Sequence, residues 1–379
     1  MLMKKIILIP DSFKGTLSSM QICGIWSAKV QEYFPECQII SIPIADGGEG
    51  TVDCFLTALG GKKIKTFVKN PYFEEIESFY GLLNDGKTAV IEMAACAGLP
   101  LVENRKNPCC TTTYGVGQLI LDAAQQGAGK IIIGLGGSST NDGGCGAASA
   151  AGIQFYNKAG EIFIPVGGTL HEIERISFEK CNPLLNGIEI ITMCDIDNPM
   201  YGPNGAAYVF APQKGADPKA VDFLDEGLRH LAGILERDLH LNISQIPGTG
   251  AAGAMGAGMV AFFHSQLRMG IETILDTVHF SQILSDADMI FTGEGKFDRQ
   301  SLHGKAVIGI AKRAKEKNIP VIVLAGGVEE DIDAAYEMGV SAVFSINRLP
   351  QKFSVSRYKS VENITAAFEN ILRLIKSLK

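Results

Sequence analysis

Three β-branched residues, Ile131–Ile133, run directly into a stretch in which six of the thirteen residues from Gly134 to Gly146 are glycine. An Ala-rich segment, Ala147–Ala151, follows. This order constrains the chain to a buried strand, a tight turn and the start of a helix. Glycine tolerates positive φ and lets main-chain N–H groups approach a ligand closely. A helix start just beyond adds partial positive charge, so the stretch is expected to cradle an anion such as phosphate. The plainer alternative is a glycine-rich connector with no ligand. Asn141 and Asp142 favour the ligand, because an acid has little reason to sit in an anion cradle unless a cation accompanies the anion.

The same rhythm of strand, glycine-bearing loop and helix occurs elsewhere. Lys5–Pro10 reads as a strand, Asp11–Gly15 as a turn, and Ser18 or Ser19 as the cap of a helix that Pro35 stops. Gln38–Ile44, Ala45–Thr51 (ADGGEGT) and Val52–Leu59 repeat the pattern. It then changes: Lys63–Tyr80 and Thr88–Met93 are β-rich, Tyr208–Ala211 is β-like, and Asp217–Asp238 is an amphipathic helix. From Asp288 the first rhythm returns, with strands predicted at Met289–Phe291, Pro320–Leu324 and Ser341–Ile346. Thr292–Asp298 (TGEGKFD) reads as a loop, and Lys305–Lys317, Glu329–Met338 and 361–378 as helices. The predicted fold class is α/β in two domains. Residues 1–61 with 285–379 form a flavodoxin- or Rossmann-like parallel-sheet domain. Residues 62–284 form a second α/β domain inserted into it, carrying the GLGGSSTNDGG loop.

Composition narrows the class. A net charge of −7 without a basic run argues against nucleic-acid binding. No apolar stretch approaches the ~18 residues of a membrane span. Nine cysteines without a C-x-x-C pair are expected to be reduced thiols, so the protein is expected in the cytoplasm.

Acids recur in the glycine-bearing loops: Asp46, Glu49, Asp142, Asp195, Glu294 and Asp298. Singly, each reads as a turn or cap residue. Converging on one cleft, they would repel unless a cation such as Mg²⁺ compensated, and a remaining acid would serve as general base toward a hydroxyl. Lys14 and Lys305 stand where an ammonium meets a phosphate or carboxylate, and His303 lies between the TGEG loop and Lys305. Walker A and serine-hydrolase patterns are absent, and Gly248–Gly253 (GTGAAG) matches the dinucleotide fingerprint without a strand before it.

Taken together, PDSFKGTLS (10–18), ADGGEGT (45–51), GLGGSSTNDGG (134–144), CDIDNP (194–199), QKGA (213–216), PGTGAAG (247–253) and TGEGKFDRQSLHGK (292–305) resemble the bacterial type I glycerate kinase family. Lys296, Ser139 and Ser301 depart from its commoner arginine, alanine and threonine. The resemblance implies ATP-dependent phosphorylation of D-glycerate, with 2-phosphoglycerate more expected than 3-phosphoglycerate, in a cleft between the two domains. On the matching motifs, Lys14, Asp142, Asp195 and Lys305 are expected to be catalytic. Gly136, Gly137, Ser138, Ser139, Asn141 and Glu294 would hold ATP, with the amides of 136–139 on its phosphates. Asp46, Glu49, Asn198, Lys296, Asp298 and His303 would face the substrate. Asp195 with Asp46 or Glu294 would hold Mg²⁺. Monomer and homodimer stay open, as do two alternatives: a kinase of another small hydroxy acid, and a non-catalytic metabolite-binding protein on the same fold.

Overall fold

The computed structural model describes residues 3–45, 47–302 and 304–378. Asp46 and His303, both expected at the site, lie outside them. Contacts divide the chain into two compact units. The first comprises Met1–Ala45, Thr57–Leu59 and Met269–Lys379, the second Asp46–Leu56 and Gly60–Arg268. The division therefore falls near 268/269 rather than 284/285. It also gives most of the ADGGEGT loop to the second unit, because Gly47 and Gly48 pack on Gly134 and Gly136.

In the first unit five strands form one wholly parallel sheet, ordered Val340–Ser345, Val321–Val328, Met289–Phe297, Lys5–Leu8, Gln38–Ser41. Counted along this unit, that is the doubly wound order 2-1-3-4-5, whose direction reverses between Lys5–Leu8 and Met289–Phe297. Ligands on such sheets bind outside the carboxyl ends at that reversal. Ser18 caps the helix Ser19–Tyr33, accepting from the Gln21 N–H at 3.2 Å while the Gln21 side chain accepts from the Ser18 N–H. This helix and the terminal one, Ser360–Ser377, cover the sheet by stacking Trp26 on Phe368 at 5.1 Å, with Phe291 edge-on to Phe368. TGEGKF is strand and not loop: Met289–Phe297 continues through it, paired with Val321–Val328 as far as Phe297 and Val328. Its glycines let two backbones run close, as a Cβ on Gly293 would lie 2.1 Å from the Leu324 carbonyl oxygen.

The second unit holds a six-stranded sheet ordered Gln266–Arg268, Glu189–Met193, Lys130–Gly134, Thr88–Glu92, Glu75–Leu83, Gly61–Lys69. The first four strands are parallel and the last two antiparallel additions. The loops leaving the parallel strands at Met93, Leu135 and Cys194 therefore emerge along one sheet edge. Helices Tyr114–Gln125, Pro218–Leu239 and Ala251–Phe263 enclose its apolar core. Tyr208–Ala211, predicted β-like, lies in the helix Ala206–Phe210 and the residue after it; Ala206 and Ala207 are buried, so packing overrides the local β preference. A small three-stranded sheet, 154–177, completes the unit.

Candidate functional site

In the second unit the glycine-rich loop is held by main-chain bonds on both flanks. The Gly136 N–H donates to the Gly47 carbonyl at 3.0 Å, and the Ser139 N–H to the Ala97 carbonyl at 2.9 Å. The Leu99 N–H reaches the Gly137 carbonyl at 2.9 Å, making an antiparallel bridge between Gly98 and Ser138. Two of the four amides expected on phosphates are thus spent on the loop itself. Gly137, at φ +74° and exposed, forms the apex, and Ser138 beside it is 6% exposed. The close approach to Gly47 demands glycine, since a Cβ on Gly134 would sit 2.2 Å from the Gly47 carbonyl oxygen.

Asp142 is wholly buried. Its carboxylate accepts from the Thr113 N–H (2.7 Å), the Thr113 hydroxyl (2.9 Å), and the Gly144 and Gly146 N–H groups (3.2 Å each). It therefore closes the N-terminal ends of two helices, Tyr114–Gln125 and Cys145–Ala150. Burial raises its pKa and these bonds oppose the rise. The sequence explains an acid here by a ligand-borne cation; the structure explains it by the helix ends. The helix start expected to face the anion is six residues long, and its first N–H groups go to Asp142.

Positive charge at the loop comes instead from Lys214, a residue the sequence singled out only as part of QKGA. It is 1% exposed, and its ammonium donates to the Ser138 hydroxyl oxygen at 2.9 Å and the Thr140 carbonyl at 2.7 Å. Burial lowers its pKa to about 7, against the pull of Asp142. Nearby in the chain, the Thr140 hydroxyl and both amide atoms of Asn141 are buried without a hydrogen-bond partner. An unmade bond of this kind costs about 1–3 kcal/mol, so these atoms are fitted to something that satisfies them.

The segment Gly248–Ala254 ties this loop to CDIDNP. The Gly250 N–H donates to the Asn198 carbonyl at 2.9 Å, and the Gly143 N–H to the Gly253 carbonyl at 3.1 Å. Ala252, Gly253 and Ala254 are all left-handed, with φ of 56°, 70° and 63°. Asp195 is exposed, at the carboxyl end of Glu189–Met193, and the Asn198 amide donates to the Asn204 carbonyl at 2.8 Å. Glu49 is exposed on its loop.

In the first unit, a second set occupies the reversal point of the sheet. Glu294 is 8% exposed and its Oε1 is buried without a partner. Burial raises its pKa to about 7; Asp11 and Asp298 add to the rise, while Ser301 and Lys305 oppose it. Lys305 is exposed at the start of the helix Ala306–Lys315, and Lys14 is exposed, its main-chain nitrogen 3.3 Å from where a Cβ on Gly295 would lie. Lys296 pairs with Glu329 at 2.5 Å and Asp298 at 3.4 Å. Asp298 also accepts from the Gln300 and Ser301 N–H groups, and although burial opposes them these contacts bring its pKa below the usual range. The expected residues therefore gather as two sets. Gly136–Ser139, Asn141, Asp142, Asp195, Asn198 and Glu49 belong to the second unit, and Lys14, Glu294, Lys296, Asp298 and Lys305 to the first. Among the described residues, no three His, Cys, Asp or Glu side chains form a metal centre. None of their helices is long and apolar enough to cross a membrane.

The chain is similar to known proteins over nearly its whole length. The model of the Glycerate kinase family matches residues 6–376. A protein of Bacillus cereus named glycerate kinase is 45% identical over 98% of both chains. One of Escherichia coli named glycerate 2-kinase is 39% identical over 97% of both. A solved structure from Salmonella typhimurium LT2, described as glycerate kinase 2, superposes with a TM-score of 0.88 at 38% identity and 99% coverage of each chain. The chain belongs to the glycerate kinase family, and it is a phosphotransferase with a hydroxyl acceptor.

Proposed function

We propose that the protein transfers the γ-phosphoryl group of ATP to the 2-hydroxyl of D-glycerate, and that the two residue sets act together in a cleft between the units. The observation that carries this is the loop at Gly136–Asn141: an exposed glycine apex over a buried ammonium, with three buried polar atoms of Thr140 and Asn141 unpaired. Such a site suits a polyanion. The relative named glycerate 2-kinase supports the choice of hydroxyl.

Phosphoryl transfer asks a protein mainly for positioning and charge neutralisation. The Gly137 and Ser138 amides would meet the phosphates, and Lys14 and Lys305 would offset charge on the γ-phosphoryl group or the glycerate carboxylate. Asp46, Glu49, Asn198, Lys296, Asp298 and His303 would face the substrate. Asp195, exposed where Asp142 is enclosed, would accept the proton as the hydroxyl oxygen bonds to phosphorus and the ADP oxygen leaves with the bonding pair. Asp142 acts through the shape of the loop. Nucleotide-borne Mg²⁺ needs only one or two carboxylates, which Asp195 with Asp46 or Glu294 would provide; the unpaired Oε1 of Glu294 fits such a partner. Bound there, the ion would supply neutralisation of phosphate charge.

A coupled ADP-release assay over a panel of small hydroxy acids tests the substrate. D-glycerate should give the highest kcat/KM. Preference for another acid would overturn the substrate, and saturable binding with no ADP released from any acid would indicate a metabolite-binding protein.

A further inference from the structure

We propose that Lys214 is a positioning residue of the nucleotide site, its buried ammonium fixing the Ser138–Thr140 loop and supplying the positive charge that an anion meets there. This rests on the reading that the loop holds the nucleotide phosphates.

Lysine is rarely buried completely unless paired, because its charge loses hydration. Lys214 is 1% exposed, and its two bonds go to one short segment, Ser138 and Thr140, 76 and 74 residues earlier. Those bonds approach the loop by side chain, whereas Ala97 and Leu99 hold it by main chain. Lys214 itself ends the tight turn Pro212–Lys214, its N–H donating to the Ala211 carbonyl at 3.0 Å. Gly215 then turns the chain at φ +100°, where a Cβ would strike the Lys106 carbonyl oxygen at 2.7 Å. The ammonium is thus delivered by a turn with little freedom.

Its charge is not spent inside the protein. Asp142 is the charged group acting on it, but no ion pair joins the two among the described residues, and the Asp142 carboxylate is occupied by four other donors. The Ser138 hydroxyl and Thr140 carbonyl are neutral. A methionine would fill the same space without the desolvation cost, and replacing buried ions by apolar residues is often neutral or stabilising. A buried cation directly behind an exposed glycine apex is accounted for by an anion on the outer side. The lowered pKa of Lys214 agrees with a charge awaiting its partner, and an anion would raise it.

The test uses the full chain and measures Mg-ADP affinity by calorimetry from pH 6 to 9 for wild type and Lys214→Met. Wild-type affinity should fall as pH rises through and above 7, where the ammonium loses its proton. Lys214→Met should bind at least tenfold more weakly at pH 6.5, lose that limb, and melt no lower than wild type. With turnover, its KM for ATP should rise while its KM for D-glycerate stays within twofold. Wild-type affinity in Lys214→Met at pH 6.5, or an unchanged pH limb, would overturn the proposal. If the methionine variant does not fold, Lys214→Gln, which keeps a donor for Thr140, carries the same readouts. Wild type that binds Mg-ADP in this way but phosphorylates no glycerate would sink the substrate reading and leave Lys214 standing. Absence of Mg-ADP binding by wild type would sink both.

Discussion

Asp195 and Glu294 are both acids at carboxyl edges of parallel strands, yet their surroundings give them opposite characters. Asp195 is exposed and is assigned the hydroxyl proton. Asp195→Asn should keep the fold and lower kcat by two or more orders of magnitude, measured by ADP release beside a thermal melt; near-normal turnover would remove it from the site. Glu294 is buried, with a pKa raised from 4.5 to about 7. Between those values the folded chain keeps a proton that the unfolded chain has lost, so stability falls as pH rises from 4.5 to 7 and levels above it. At ~1.4 kcal/mol per tenfold, the interval corresponds to about 3 kcal/mol. Urea unfolding in EDTA without nucleotide should show Glu294→Gln more stable than wild type at pH 8, by up to that amount, and without the slope. Both acids were legible as members of glycine-bearing loops. The exposure of one and the burial of the other were not, nor was the burial of Asp142 or Lys214, because burial comes from packing with segments distant in sequence. QKGA reads locally as a surface turn; only Ser138 and Thr140, supplied by another part of the chain, make its lysine internal.

At the scale of elements, the left-handed turn Ala252–Ala254 is the most costly piece of backbone beside the site. A left-handed residue other than glycine costs about 1–2 kcal/mol, and such strain persists where surrounding structure enforces it. Here the enforcing contacts are Thr140 and Asn141 on one side and Gly248–Gly250 against the 194–199 loop on the other. Ala252→Gly should raise stability by about 0.5–1 kcal/mol in urea unfolding. Gly253→Ala should lower it by more than that, since its Cβ would meet the Thr140 carbonyl oxygen at 2.0 Å. A destabilised Ala252→Gly variant would show that the turn carries no strain. Helix and strand rhythms outside this segment were readable because apolar runs and caps are local, as with Ser18. One expectation fails for a non-local reason. The glycines and charges of TGEGKF read as a loop, but its neighbour, the strand Val321–Val328, extends it as strand. GTGAAG, which lacks the preceding strand that a dinucleotide fingerprint needs, is a strained entry to a helix.

For the whole molecule, the parallel order of the first unit and the parallel edge of the second follow from the alternation of strand, loop and helix, which forces crossover connections. The boundaries were less legible: glycine-to-glycine packing of residues 47–48 on 134–136 draws the ADGGEGT loop into the unit it touches and away from the strand that precedes it. A nucleotide that binds only the folded chain should stabilise it by about 2.7 kcal/mol at a hundredfold excess over Kd. A thermal melt with Mg-ADP should therefore rise, and an unmoved melt would contradict nucleotide binding. The central claim is that loops far apart along the chain serve one phosphoryl transfer to the 2-hydroxyl of glycerate. Its most direct test is ³¹P NMR of the protein incubated with Mg-ATP and D-glycerate. The account predicts ADP and 2-phosphoglycerate in equal amounts; ATP left intact, or 3-phosphoglycerate as the product, would contradict it.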